Sequence, residues 1–173
     1  MPREGSPKNH AMTDARPEPS ALARALGRIP CGLFLATVET PEGPVGFVAS
    51  FVQQVGFEPP TVALAVGKAR GPLEALRARG RFALSVLDKP SSGIMGGFFK
   101  PVAEEESPFD GHALHSTEAG STVFADALAW LDCEVTGEHE TGDHVVVFGT
   151  VTEGSLQREG DPSVHLRSNG LGY

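Results

Sequence analysis

Cysteine is scarce in this chain, with only Cys31 and Cys133 among 173 residues. A chain of this length buries a core without covalent staples, so no disulfide framework is called for, and both thiols are expected reduced and buried. Positive charge is also short. Fourteen Lys+Arg stand against 22 Asp+Glu, a formal charge of -8 with a pI near 5.2, the wrong sign for neutralising phosphate backbones or anionic lipid heads. Neither nucleic acid nor a membrane surface is an expected partner. No apolar run approaches the roughly 20 residues that span a bilayer, and the first 20 residues hold no apolar targeting segment, so a cytoplasmic location is expected. The serine-nucleophile pattern G-x-S-x-G is missing, as are the phosphate cradles G-x-G-x-x-G and G-x-x-x-x-G-K-[ST]. Any nucleotide must be held in another way. Of the six histidines, only His112 and His115 lie close in sequence, in a polar stretch without a carboxylate or thiolate at ligand spacing, and no metal site is expected.

What is present is a soluble globular composition, 40% hydrophobic and 21% charged, sized for one domain. Residues 1–19 are rich in proline and charge and lack apolar periodicity, which predicts a disordered tail ahead of a single domain over residues 20–173. Ser20 can cap a short helix through Leu26, with Gly27 placed to end it. From Cys31 onward, short β-branched and apolar segments alternate with Gly, Pro and acidic turns, the texture of antiparallel sheet. Strands are predicted at Gly32 to Val38, Val45 to Phe51, Thr61 to Val66, Arg81 to Leu87, Ala127 to Glu138, His144 to Gly154 and Val164 to Arg167. Pro72 and Gly80 bracket a helix, and residues 88–122 read as an irregular excursion with a helical turn or two. Six or seven hairpin-linked strands with helices as side pieces imply a barrel or sandwich and exclude βαβ winding.

Two segments are candidates for holding an anionic cofactor. One is the strand end from Gly46 to Gln54, with small residues and the Ser50 hydroxyl. The other is the turn from Val66 to Pro72, where Lys68 and Arg70 precede a helix N-terminus. Taken alone, each is equally a strand edge and a helix entry.

Read together, Ile29-Pro30-Cys31-Gly32-Leu33-Phe34-Leu35-Ala36-Thr37, the Val48-Ala49-Ser50-Phe51-Val52 strand, the Pro59-Pro60 break, Ala65-Val66-Gly67-Lys68-Ala69-Arg70, Phe98-Phe99-Lys100-Pro101, Ala127 to Cys133 and Gly142-Asp143-His144 resemble the flavin reductase-like FMN-binding split-barrel family. The ending from Arg167 to Tyr173 is similar to that of the reductase domain fused to flavodiiron proteins. The resemblance covers Leu22 to Tyr173. It implies an all-β fold with minor helices, a six-stranded antiparallel Greek-key split barrel, in a homodimer that binds FMN, or FAD in some members, at the subunit boundary. It also implies NADH or NADPH as electron donor, hydride transfer to flavin N5, and a monooxygenase or electron-acceptor protein as recipient.

By the same resemblance, the flavin phosphate meets Ser50 and the backbone of Ala49, Phe51 and Val52, with Lys68 and Arg70 neutralising its charge. Backbone groups of Val48, Ala49 and the strand ending in Thr37 edge the ring system, Val66 belongs to the cofactor-binding set, Phe98 and Lys100 flank the ring, and Arg167 lies near the groove. His144 is the residue carried over as catalytic, near the nicotinamide; the other reading of His144 is a turn-stabilising side chain bonded to Asp143. Two positions depart from the pattern: Ala49 stands where many reductases carry Asn, and Gln54 where a later Ser is usual, the latter in agreement with the flavodiiron-fused subgroup. Trp130 and Phe124 are expected in the core or a dimer interface. A non-catalytic or electron-transfer FMN-binding protein is the alternative, and a barrel holding a tetrapyrrole, or nothing, is a third.

Overall fold

The computed structural model describes residues 18–99 and 106–172, so most of the expected tail lies outside the described residues. The chain forms two compact units, residues up to 29 with those from 167 onward, and residues 30–166. In the smaller unit, helix α1 (Ala21–Leu26) starts where Ser20 accepts a hydrogen bond at Oγ from the Ala23 N–H at 3.2 Å, and Gly27 ends it. The Gly170 N–H then donates to the Ala23 carbonyl at 2.8 Å, so the last residues of the chain satisfy a helix carbonyl.

The larger unit is built from strands β1 (Cys31–Gly32), β2 (Phe34–Thr40), β3 (Gly43–Ala49), β4 (Val52–Phe57), β5 (Pro60–Gly67), β6 (Arg81–Val86), β7 (Leu114–Ser116), β8 (Thr122–Phe124), β9 (Ala129–Thr141), β10 (His144–Leu156) and β11 (Val164–His165). Helix α2 (Pro72–Arg79) follows β5, and a 3-10 helix spans Pro90–Phe98. Proline opens α2 at no cost in hydrogen bonds, and Gly80 closes it at φ +66°, a left-handed conformation that glycine adopts without strain. β1 pairs with β11 and β7 with β8, while the main sheet has the antiparallel order β3-β2-β6-β9-β10-β5-β4.

The expected class, mostly β with few helices, is what the chain adopts. The strand count differs from the expected six, because the main sheet alone has seven. The run expected as one strand to Phe51 stops at Ala49, and the polar stretch after it is a separate strand, β4. The break has a visible cause. At Phe51 the chain turns onto β5, whose Ala65 N–H donates to the Phe51 carbonyl at 2.9 Å. β3 and β4 are thus the two edges of the sheet, joined covalently through only Ser50 and Phe51, with no ladder between them among the described residues.

β5 shows why the sheet holds. Val62, Leu64 and Val66 are buried and alternate with half-buried neighbours, as period two requires. β2 instead buries Leu35 to Val38 without interruption, because it lies inside the sheet with apolar matter on both faces. Ala36 and Val38 join Phe47, Leu64, Phe82 and Val147 in the main core. Leu35 faces a second cluster with Leu87, Ile94, Phe109 and Phe124. Each such buried side chain contributes roughly 1.5–3 kcal/mol. Gly149 is required beside Phe82, whose ring lies 2.8 Å from where a Cβ would stand.

Two buried carboxylates tie the excursions to the sheet. Asp132 accepts from Arg81 Nη1 at 2.9 Å and from the Thr117 hydroxyl. Asp88 accepts from the Ser91 hydroxyl at 2.6 Å, the Ser91 N–H at 3.0 Å and Arg158 Nη2 at 2.6 Å. Cys133 is buried, and burial pushes its thiol up to about 12. Cys31 is only half-buried, contrary to expectation, because β1 has just two residues and one neighbouring strand. Trp130 and Phe124 are both core residues.

Candidate functional site

The β5–β10 ladder determines what meets at one end of the sheet. It pairs His144, the first residue of β10, with Gly67, the last of β5. The turn that precedes His144 is therefore held beside the turn that leads into α2. Their backbones are bonded directly, the Lys68 N–H donating to the Asp143 carbonyl at 2.9 Å. A Cβ placed on Gly67 would lie 3.7 Å from Arg70 Cγ and 3.9 Å from His144 Nε2, which puts both side chains over that glycine. From the other side comes the β3–β4 corner. The Phe51 ring meets the His144 imidazole edge-on, with centroids 5.6 Å apart and planes at 70°.

One surface thus gathers the β3–β4 corner, Lys68, Arg70 and His144 from three separate segments. Ser50 is a buried residue of this corner. Gly71, the N-cap of α2, provides no side-chain cap, and the space where its Cβ would stand is open. Pro72 brings no N–H to the start of the helix, and the Leu73 N–H donates to the Arg70 carbonyl at 3.3 Å, so the helix start is tied to the Lys68 and Arg70 segment.

Carboxylates occupy the same surface. Lys68 Nζ donates to Glu140 Oε2 at 2.8 Å, and this bond holds the Glu140 carboxyl below its ordinary range. His144 Nδ1 is 2.8 Å from Asp143 Oδ1, the turn-stabilising contact anticipated as the other reading of this histidine. It keeps the Asp143 carboxyl low as well, by hydrogen bonding first and by charge second. Further along β9, Arg77 bridges Glu138 through Nη2 at 2.8 Å and Nε at 3.1 Å.

The remaining candidates are distributed differently. Thr37 is buried, and its hydroxyl donates to the Thr122 carbonyl at 2.5 Å. Val66 and Ala49 turn their side chains into the main core, which leaves only their backbones to offer. Val48 packs with Phe98 and Met95 on the second cluster, where Phe98 is edge-on to Phe109 at 5.2 Å and to Phe124 at 5.9 Å. Val52 lines a groove of about 430 Å³ with Phe34, Gln53, Gln54, Val62 and Leu131. Arg167 belongs to the smaller unit, where its carbonyl accepts from Arg28 Nη2 at 2.8 Å. Lys100 lies outside the described residues.

Glu140 was not foreseen as part of this surface. Its signal in the sequence is an acidic residue in a hairpin turn, and its partner lies 72 positions away, so only the strand register identifies the pair. The histidines of the polar excursion are used in packing, His112 against Phe124 and His115 against Trp130. No group of three metal-ligating side chains occurs among the described residues.

Comparison with known proteins fits this architecture. Residues 26–170 match the model of the flavin reductase like domain. A putative diflavin flavoprotein A 6 from Nostoc sp. is 36% identical over 88% of this chain, and the matched part is 27% of that protein's length. The reductase subunit HsaB of a flavin-dependent monooxygenase from Mycobacterium tuberculosis is 31% identical, over 79% of this chain and 72% of its own. Among solved structures, the NADH:FAD oxidoreductase SgcE6 from Streptomyces globisporus, in complex with NAD and FAD fragments, superposes with a TM-score of 0.74 at 27% identity, covering 84% of this chain and 86% of that one. The extent of the match, with the shared architecture, shows that the chain belongs to the flavin reductase like domain family.

Proposed function

We propose that this protein is an NAD(P)H-dependent flavin reductase that binds FMN, with FAD as the alternative, and works as a cytoplasmic homodimer of six-stranded split barrels, counting β3 and β4 as one bent strand. Reduced flavin or its electrons pass to a separate monooxygenase or electron-acceptor protein. The observation that carries this reading is the convergence of the β3–β4 corner with His144 at the Phe51–His144 ring contact, beside Lys68. The segments are far apart in sequence, and their meeting in the fold supports reading them as one site.

The donors at this surface suit a phosphate-bearing group. Ser50 has a hydroxyl to offer, Lys68 and Arg70 offer cationic donors, and the uncapped start of α2 adds partial positive charge. When bound, the flavin supplies the ring position that accepts hydride from the nicotinamide. Backbone groups of Val48, Ala49 and the strand ending in Thr37 hold the edge of the ring system, those of Ala49 to Val52 meet the phosphate, and Val66, Phe98 and Lys100 stay in the proposed cofactor set. His144 orients the nicotinamide, with its imidazole fixed on one side by Asp143 and on the other by Phe51.

An electron-transfer flavoprotein without nicotinamide turnover is the second reading, favoured by the engagement of His144 Nδ1 with Asp143. One experiment separates the two. FMN is titrated into the flavin-stripped protein by fluorescence quenching, and NADH is then added anaerobically while the visible flavin band is followed. Saturable binding followed by prompt bleaching is expected. Binding without bleaching selects the electron-transfer reading, and absence of binding sinks both.

A further inference from the structure

We propose that Glu140 is a built-in counter-ion that competes with the flavin phosphate for Lys68, and so sets how tightly the flavin is held. This rests on the proposed flavin site and adds to it a residue that works against retention of the cofactor.

The geometry supplies the argument. Lys68 Nζ is 2.8 Å from Glu140 Oε2, with the lysine side chain 39% and the glutamate side chain 67% exposed. A pair this exposed is weakly held, because water solvates both partners once they separate and salt screens their attraction. A phosphate dianion offers Lys68 more charge and more acceptor oxygens than a carboxylate, so the lysine exchanges one partner for the other without crossing a large barrier. The fold does not depend on the pair. The two turns stay docked through the Lys68 N–H to Asp143 carbonyl bond and the Gly67 to His144 ladder, neither of which uses the side chains. Asp143 adds a second negative charge to the same turn. The cationic entry to α2 is therefore close to charge-balanced before any ligand arrives, and a ligand's phosphate must displace Glu140 from Lys68 to gain full neutralisation.

A tightly retained cofactor has no use for such an arrangement, whereas a flavin that leaves to serve another protein does. Removing the carboxylate should slow that departure.

The test is Glu140→Gln, with FMN and riboflavin titrated separately into flavin-stripped wild type and variant by fluorescence quenching. Riboflavin has the same ring and no phosphate. The expected result is FMN binding about two- to fivefold tighter in the variant, unchanged riboflavin binding, and loss of the FMN gain when Glu140→Gln is combined with Lys68→Met. FMN affinity that stays the same or falls in Glu140→Gln, while Lys68→Met weakens it in the wild-type background, overturns the inference and leaves the flavin site standing. An equal gain for riboflavin also overturns it, because the effect then lies outside the phosphate. If the wild-type chain binds neither flavin, the proposed function fails and this inference fails with it. A thermal melt of Glu140→Gln indistinguishable from wild type shows that the affinities compare equally folded proteins.

Discussion

Two sets of charged side chains in this molecule use the same chemistry to opposite ends. Around Asp132, a fully buried carboxylate is saturated by Arg81 and Thr117, and Arg81 is held in turn by Thr152 at 2.9 Å. Around Lys68, the partners are Glu140, Asp143 and His144, and most of them face water. In the first set the carboxylate is fully buried, so displacing its partners would leave a buried charge unpaired. The second gives up a contact cheaply and regains it from solvent or a ligand. Pairing alone therefore does not mark a functional site; the exposure of the pair decides whether it fixes structure or trades partners.

The largest effect should come from the buried set. Asp132→Ala removes the buried partner of Arg81 and Thr117 and is expected to cost about 3–5 kcal/mol, read as a fall in the urea midpoint. A loss under 1 kcal/mol would place Asp132 with the exposed pairs and erase the contrast. Next is the exchangeable set: Ser50→Ala with Lys68→Ala should weaken FMN binding by roughly ten- to a hundredfold and leave the thermal midpoint nearly unchanged. Unaltered affinity would remove the phosphate assignment. His144→Ala is expected to lower NADH-dependent turnover about tenfold through lost positioning, with little change in FMN affinity, and an unaffected rate reduces it to a partner of Asp143.

The smallest effect concerns pH. The Ser91 hydroxyl first, then the Ser91 N–H and Arg158, hold the Asp88 carboxyl below its ordinary range. Its folded value lies under the unfolded value of about 3.9. Its contribution to stability is therefore complete above that pH and is lost as pH falls through the depressed value. Asp88→Asn should flatten the acid limb of a urea-midpoint profile taken between pH 5 and pH 2. A profile parallel to wild type would show that Asp88 does not govern it.

Turn chemistry made much of the fold legible. Pro72 and Gly80 bounded α2 correctly, the Gly142-Asp143 turn set the longest hairpin, and the Val62, Leu64 and Val66 alternation identified β5. β4 escaped because Gln53, Gln54 and Val55 are exposed on an edge strand, where no buried face imposes a period. The β7–β8 hairpin escaped for a related reason: its strands have three residues each, and β7 is exposed throughout. At the candidate site, the resemblance proposes Ser50, Lys68, Arg70 and His144, and the β5–β10 register brings the last three together. Thr37 was legible as a strand residue, but which way its side chain points depends on a register that no local pattern reports, because Leu35 to Val38 are all buried.

The Ser50-Phe51 link leaves little room for variation by insertion. Most surface connections in a protein tolerate an extra residue or two, because their length is set by nothing but the distance to be crossed. This one is spanned by two residues, passes from one edge of the main sheet to the other, and carries both the buried Ser50 and the ring that meets His144. An added residue there would shift the register of β4 on β5 by one position and turn every β4 side chain to the opposite face. The β2–β3 turn has no such double duty, so an insertion there should be tolerated better than one at this corner.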